Sequence, residues 1–302
     1  MENRYINLDS IDTYNKLYGL PTHHPLVAVV DLKDATKEVN DVTINYGVYA
    51  LFLKNNASCS VRYGRRSYDY QEGTVVSFSP GQVIEVNNPG HHIAPDVIGL
   101  VFHPDLIYGT PLAEKINSFS FFDYSEMEAL HLSDDERGRF LSCLGLIRQE
   151  IEHPVDNHSA TLLSANIQVL IEYLHRFYDR QFITRHKVNS EIISNFQRQL
   201  KQYFIGEQPD RRLPNVAYFA ERANLSAGYF SDLVRKETGK SPKDIISLHL
   251  LSVAKHRLAT GNEDVSEIAY ALGFEYPAHF TRMFKRLTGQ SPTQYRQQIA
   301  MN

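Results

Sequence analysis

Near its C-terminus this chain uses one pattern of residues twice. Phe230 to Pro242 is FSDLVRKETGKSP and Phe280 to Pro292 is FTRMFKRLTGQSP, with Phe, an apolar pair, basic residues, Thr-Gly and Ser-Pro at the same places. Upstream, VAYFAERANL from Val216 aligns with VSEIAYALGF from Val265 if the second copy carries one extra residue. A repeat of this length is a supersecondary unit used more than once, and two copies are too few for a solenoid. What the repeat demands is a pair of matched elements.

The second copy can be built from helical spacing. Val265, Ile268, Ala269 and Leu272 recur on one helix face, and Gly273 then ends that helix, because glycine enters the left-handed cap without strain. Pro277 suits the first turn of a new helix, where a missing N–H costs nothing. Phe280, Met283, Phe284 and Leu287 form its buried stripe, which leaves Ala278, Thr281, Arg282 and Lys285 pointing away, with Arg286 and His279 on the flank. Two helices joined by a short glycine-containing turn, the second with a small, polar and basic outer face, describe a helix-turn-helix.

The first copy gives the same geometry. Ala217, Phe219, Ala220 and Ala223 belong to its supporting helix, and Ser226 caps the next. Phe230, Leu233 and Val234 are expected inside, while Gly228, Ser231, Asp232, Arg235 and Lys236 face out. Each copy is followed by a capped helix start, Ser241-Pro242-Lys243-Asp244 and Ser291-Pro292-Thr293-Gln294. A single amphipathic helix of this kind would be an ordinary solvated face of a bundle. Two copies with matching outer faces favour a binding element.

Ile268 to Arg296, IAYALGFEYPAHFTRMFKRLTGQSPTQYR, resembles the signature of the AraC family of bacterial transcription regulators. The resemblance covers roughly the last third of the chain. It implies two helix-turn-helix motifs joined by one long helix, for which Pro242 to Ala259 is the match, with Ile245, Leu248, Leu251, Ala254 and Leu258 as its apolar stripe. Such a helix spans ~27 Å, near the ~34 Å of a DNA turn, so both recognition helices can enter successive major grooves. The resemblance also places base readout on Gly228, Ser231 and Asp232 and on Ala278, Thr281 and Arg282.

Charge divides the chain in the same sense. From Arg211 onward there are 13 Lys+Arg against 8 Asp+Glu, which leaves 18 against 27 for the first 210 residues. The overall charge of −4 thus hides a basic end on an acidic remainder, as phosphate binding at one end requires. Cys59 and Cys143 are too few for a disulfide framework or zinc cluster and fit a reducing cytoplasm as buried small side chains. MENRYINLDS lacks a signal-peptide core and no apolar run reaches the ~18 residues of a membrane span, so a soluble cytoplasmic protein is expected.

From Pro25 to about Phe102 short β-rich runs alternate with Asn, Gly and Pro, the pattern of an all-β barrel or sandwich. Gly73 to Gly81, GTVVSFSPG, resembles the strand between two turns found in cupins. Metal-dependent cupins carry a His-x-His pair, whereas Arg62 to Tyr70 has Tyr63, Tyr68 and Tyr70 instead, which argues against an enzyme. His91 and His92 are adjacent and point to opposite faces of a strand, and His103 and the His23-His24 pair lie near loops, so no metal and no cofactor are assigned. An effector pocket is sought among the barrel aromatics Tyr49, Phe52, Tyr63 and Phe78.

Ser133 to Glu136 forms a capping box, after which Phe140, Leu144, Ile147 and Ile151 recur at helical spacing. Leu163, Ile167, Leu170, Leu174 and Phe177 recur at the spacing of a helix-packing seam. By the same resemblance Leu163, Ile167, Leu170 and Leu174 are the candidate dimer interface; the alternative is that they pack on the barrel or a neighbouring helix. Ile192, Ile193, Phe196, Leu200 and Phe204 begin the second domain, within which Gln208 to Pro214 is a loop.

The expected fold is α+β and multidomain. A regulatory and dimerisation domain over 1–185 holds a cupin-like β-barrel (about 20–105) and a two-helix element (about 133–180). An all-α DNA-binding domain over 190–302 holds motifs at about 215–237 and 265–287. The expected function is sequence-specific transcription regulation on double-stranded DNA by a homodimer, controlled by a small-molecule effector or a partner, with RNA polymerase as a further partner if it activates. The alternatives are a cupin-type enzyme fused to a DNA-binding domain and an effector-independent DNA binder. DNA contacts are expected from Gly228, Ser231, Asp232, Arg235, Lys236, Ala278, Thr281, Arg282, Lys285 and Arg286.

Overall fold

The structure, a computed structural model, describes residues 4–37, 39, 42–55, 62–63, 66–67, 73–86, 96–125, 128–204, 212–261 and 263–300. Cys59, Tyr68, Tyr70, His91, His92 and Gln208–Arg211 lie outside these residues, as does the side chain of Tyr63. The chain divides into two compact units, Met1–Thr184 and Arg185–Asn302.

The first unit runs β1 (Arg4–Leu8), α1 (Ile11–Tyr18), β2 (Val27–Asp31), β3 (Val42–Tyr46), β4 (Tyr49–Lys54), β5 (Arg62–Tyr63), β6 (Arg66–Ser67), β7 (Thr74–Phe78), β8 (Val83–Val86), β9 (Val97–Phe102), α2 (Pro111–Lys115), β10 (Leu130–His131), α3 (Asp134–Glu152) and α4 (Ser159–Thr184). Its strands form a three-stranded sheet ordered β1-β3-β8, a five-stranded sheet ordered β10-β7-β4-β9-β2, and the hairpin β5-β6. The five-stranded sheet is antiparallel throughout, and β1 and β3 are parallel. Among the described residues no strand pair joins the edges of one sheet to the other, so the expected barrel is not closed. Instead both sheets contribute to one core, with Leu8, Ile44 and Tyr46 from the smaller and Val30, Ala50, Phe52, Val76 and Val101 from the larger.

The five-stranded sheet is covered on both faces. Side chains alternate across a strand, so β4 sends Ala50 and Phe52 into the shared core while Leu51 and Leu53, equally buried, point the other way. Opposite Phe52 stands Gly99, where a Cβ would meet the Leu51 carbonyl oxygen at 2.3 Å and the Phe52 ring at 2.6 Å. The outer face is covered by Phe119 to Tyr124 and the helices. Two side chains tie α4 down. Gln181 accepts from the His131 N–H (2.9 Å) and donates to the Ala129 carbonyl (3.2 Å). Arg180 donates to the His131 carbonyl (2.6 Å) and to Glu136 (3.0 Å). Glu136 also completes the capping box of α3 with Ser133.

This packing corrects the expected dimer seam. Leu163, Ile167, Leu170 and Leu174 are at most 1% exposed in the single chain, so the stripe belongs to the core of its own unit. Its spacing is what any helix packed on a neighbour requires, and α4 has α3 and β10 as neighbours. Cys143 is buried within α3, and burial pushes its thiol pKa up.

The second unit is helical: α5 (His186–Tyr203), α6 (Val216–Arg222), α7 (Ala227–Thr238), α8 (Pro242–Thr260), α9 (Val265–Ala271), α10 (Pro277–Thr288) and α11 (Pro292–Ala300). Phe196 of α5 lies against Phe219 (4.9 Å) and Phe230 (5.3 Å). In the second half Phe280 meets Phe274 and Phe284, and Phe284 meets Tyr295. The stripe expected on α8 is partly corrected: Leu251, Ala254 and Leu258 are buried, but Ile246 and Leu250 replace Ile245 and Leu248. Leu248 is 40% exposed. The physical cause is that α8 is covered from several sides, by α5 and α7 and by α9, α10 and α11, so no single stripe describes it. Among the described residues no helix is long and apolar enough to cross a membrane.

Two stability predictions follow from these cores. Replacing Leu170 and Leu174 together with Glu buries two carboxylates in an apolar interior, and the N-terminal unit is expected to unfold, a loss of well over ~4 kcal/mol. Circular dichroism and limited proteolysis check this, and a folded protein would place the stripe at the surface after all. His249 of α8 packs on Phe204 (5.6 Å) with its Nε2 buried and unpartnered, so burial, with a smaller effect of Lys201, lowers its pKa from 6.5. A lowered folded-state pKa means that the unfolded chain takes up the proton first. Stability is therefore full above the unfolded histidine value of ~6.5 and is lost as pH falls below it. His249→Leu should flatten that part of the stability–pH curve relative to wild type, as read by thermal unfolding between about pH 5 and 7.5.

Candidate nucleic-acid interface

Each repeated residue does the same work in both copies. The supporting helix α6 ends on Asn224 with φ 55°, and α9 ends on Gly273 with φ 91°. Each left-handed residue lets the next N–H turn back, Leu225 to the Ala220 carbonyl (2.9 Å) and Phe274 to the Ala269 carbonyl (3.0 Å). At Gly273 a Cβ would lie 2.6 Å from the backbone of Arg212, so glycine is needed there for space as well as for φ. At Asn224 the same turn is made by one of the few L-residues that tolerates it. The extra residue of the second copy lies in the turn between α9 and α10.

Phe230 and Phe280 are both fully buried at the centre of their motif. Thr238 and Thr288 donate to the carbonyls of Val234 (2.7 Å) and Phe284 (2.8 Å), and Gly239 and Gly289 follow as left-handed caps. Ser241 then caps α8 by accepting from the Asp244 N–H (3.2 Å). Ser291 does so for α11, accepting from the Gln294 N–H (3.2 Å) while Gln294 accepts from the Ser291 N–H (2.8 Å). The repeat in the sequence is a repeat of caps and core contacts.

What remains outside differs between copies. On α10, Ala278, Arg282, Lys285 and Arg286 are exposed and Thr281 is half-buried. The side chains of Arg282, Lys285 and Arg286 have no ion-pair partner among the described residues. On α7, Arg235 and Lys236 are exposed, while Gly228, Ser231 and Asp232 are half-buried. Ser231 donates its hydroxyl proton to the Ala227 carbonyl (2.7 Å), which leaves it an acceptor only. Asp232 lies 3.9 Å from Arg235, one turn on along the helix. The expected outer positions thus share one face in each helix, but the first face is partly self-satisfied and the second is open and cationic.

Tyr276 was not singled out by sequence reasoning. It is 56% exposed, stands at the start of α10, provides no side-chain cap, and meets the ring of His279 at 5.6 Å. The N-terminus of α10 therefore carries an exposed aromatic pair and no side-chain cap, with the His279 N–H turned onto the Tyr276 carbonyl (2.9 Å), whereas that of α7 is closed by Ser226. An aromatic residue directly before a helix-starting proline was the available signal.

The effector candidates in the first unit do not converge. Phe52 and Phe78 lie in the shared core, 6.1 Å apart, with Tyr46 stacked on Phe78 at 4.9 Å. Tyr49 is three positions from Phe52 and so falls on the opposite face of β4, against Phe102 and Phe122. Among the described residues no group of three His, Cys, Asp or Glu is placed to hold a metal.

Comparison with known proteins bears on the helical unit most directly. Residues 219–298 match the family described as a helix-turn-helix domain. Over 81 residues the chain is 38% identical to YobQ of Bacillus subtilis, an uncharacterised HTH-type transcriptional regulator, covering 27% of this chain and 34% of that protein. It is 26% identical over 225 residues to LumQ of Photobacterium leiognathi, a probable transcriptional regulator, covering 74% of this chain and 82% of that protein. A solved structure of the C-terminal domain of AraT, a response regulator from Geobacillus stearothermophilus, matches 35% of this chain and 84% of that one at 26% identity and a TM-score of 0.32.

Proposed function

Residues 219–298 form a helix-turn-helix domain of the AraC type, and from this premise we propose that the chain is a transcription regulator that reads duplex DNA with α7 and α10 in successive major grooves. The single observation that carries the reading is the duplication, in which two matched scaffolds present outward faces with an excess of Lys and Arg. Between them α8, at 19 residues, spans ~28 Å, close to the ~34 Å of a DNA turn. LumQ, described as a probable transcriptional regulator and similar over most of both chains, supports extending the reading to the whole protein.

The two helices take different parts in this reading. Arg282, unpaired on the open face, forms a bidentate contact to guanine O6 and N7. Thr281, Ala278 and Tyr276 flank it, with apolar surface for a thymine methyl. Lys236, Lys285 and Arg286 hold phosphates. Asp232 holds Arg235 rather than reading a base. Gly228 and Ser231 allow close approach.

The same reading includes a homodimer, with the interface moved from the buried seam to the outer face of α3 and α4. The Arg139 guanidinium over the Tyr173 ring (6.0 Å) sets the two helices side by side. Two turns along α3 from Arg139 comes Leu146, and one and three turns back along α4 from Tyr173 come Val169 and Leu162. These three are about half exposed, an apolar strip on an otherwise polar face. Control by a small molecule or partner at this unit, and contact with RNA polymerase, complete the proposal.

Selection of binding sites from randomised duplex DNA tests the readout. Arg282→Ala should lose ~1–3 kcal/mol and relax preference at one or two base pairs, while Asp232→Ala should bind as well as wild type or better. Lys285→Ala should lower the salt dependence of log K by about one unit. Uniform weakening by Arg282→Ala would reduce that residue to a phosphate contact, and no enriched sequence for the wild type would end the proposal. For the dimer, Leu146→Glu with Val169→Glu is expected to give a folded monomer by sedimentation velocity. A dimer that survives both changes would put the interface elsewhere.

A further inference from the structure

A cleft of about 420 Å³ runs along β2, the edge strand of the five-stranded sheet. One wall comes from the end of α1 and the turn after it, the other from the last turns of α3. It is bordered by Asp31 at the end of β2 and Asp34 beyond it, by Arg148 and Glu152 of α3, by Asn15 of α1 and by His23, with Ile151 as an apolar wall.

Most of its polar groups are acceptors. Several acidic side chains of this unit find cations, among them Asp12 with Lys16, Asp96 with Lys33, Asp135 with Arg139 and Glu136 with Arg180. Among the described residues Asp34 and Glu152 have no such partner, and Arg148 pairs with neither, although it is four residues from Glu152 on one helix. Asn15 is 1% exposed. Its amide nitrogen donates to the Pro21 carbonyl (3.2 Å) and to Thr22 Oγ1 (3.1 Å). A carbonyl can only accept, so the amide cannot be turned round, and Oδ1 is the end left buried without a partner. An edge strand adds backbone carbonyls that no neighbouring strand uses. Apart from Arg148, His23 and the strand's own N–H groups, these are acceptors or negative charges.

Such a set is met by a group with several N–H donors and a positive charge on a short apolar body. We propose that this cleft binds a small aliphatic primary amine, either a diamine or an amino acid whose carboxylate meets Arg148. The ammonium group is held by Asp34, Glu152 and Asp31 with Asn15 Oδ1 as a further acceptor, and the methylene chain lies on Ile151. The inference stands apart from DNA recognition and is tested without DNA.

The test is calorimetric titration of the full chain with putrescine, with lysine and with the neutral diol of the same length as putrescine. Saturable binding of either amine and none of the diol is expected. Asp34→Asn combined with Glu152→Gln should weaken it about tenfold, since each exposed ion pair is worth a few-fold. Both residues are exposed, so the amine-free thermal midpoint should not move. Arg148→Gln, read with the preference of the unaltered chain, separates the two sources: lysine bound more tightly than putrescine and lost in the variant identifies an amino-acid site, and putrescine bound more tightly than lysine and kept or tightened in the variant identifies a diamine site. No saturable binding of either amine, equal binding of the diol, or an unchanged affinity in the double variant would overturn the proposal.

Discussion

The helical unit depends on one helix being buried from several sides at once. Toward its N-terminal half α8 carries His249 against Phe204 of α5. Toward its C-terminal half Lys255 lies over the Tyr295 ring (5.4 Å) and the Leu258 carbonyl accepts from Arg296 of α11 (3.3 Å). A helix held at both ends by different cores is a spacer of fixed length, and each motif is attached to it by its own phenylalanine cluster. Burial on several sides is also why no single apolar stripe along α8 describes it: the covered face changes along its length. The half-buried His249 lies where α8 meets the end of α5.

Duplication explains what is shared and what is free to differ. Burial, caps and left-handed turns are requirements of the fold, and both copies meet them with the same or equivalent residues. Phe230 matches Phe280, Thr238 matches Thr288, Ser241 matches Ser291, and Asn224 stands where the other copy has Gly273. The outward positions carry no such requirement. There Asp232 faces Arg282 in the alignment of the copies, a reversal of charge on the same scaffold, and Ser226 closes a helix end that Tyr276 leaves open. One backbone pattern thus carries two faces of different chemistry.

The N-terminal unit follows another logic, that of a sheet with no solvent face. Its central strand β4 buries four consecutive residues, Ala50 to Leu53. The three-stranded sheet covers one side and the helices cover the other, with Gln181 and Arg180 fastening α4 to the short edge strand β10. The stripe on α4 is consumed in that layer, while Leu146, Leu162 and Val169 stay about half exposed on the outer face. At the opposite edge of the sheet β2 has no neighbouring strand on its outer side among the described residues, and there the cleft opens.

Short-range chemistry is what the sequence by itself determined. Helix starts at Ser133, Ser226, Ser241 and Ser291, the left-handed end at Gly273, the buried phenylalanines of the repeat and the alternation of the strands follow from residues within a few positions of one another. The outward faces of α7 and α10 were legible for the same reason, since a helical period and a known stripe leave the other face no choice. What only the tertiary structure decided concerns distant segments. Periodicity says that Leu163 to Leu174 share a face but not whether that face meets the same chain or another, and α3 and β10 settle it. It puts Tyr49 and Phe52 on opposite faces of a strand, yet which face holds the core depends on a second sheet far away in sequence. The partial exposure of Leu248, the hydroxyl of Ser231 spent on its own helix, and the unpaired acceptors around Asn15 have the same origin. Each depends on what covers a side chain, and coverage is a property of the folded whole.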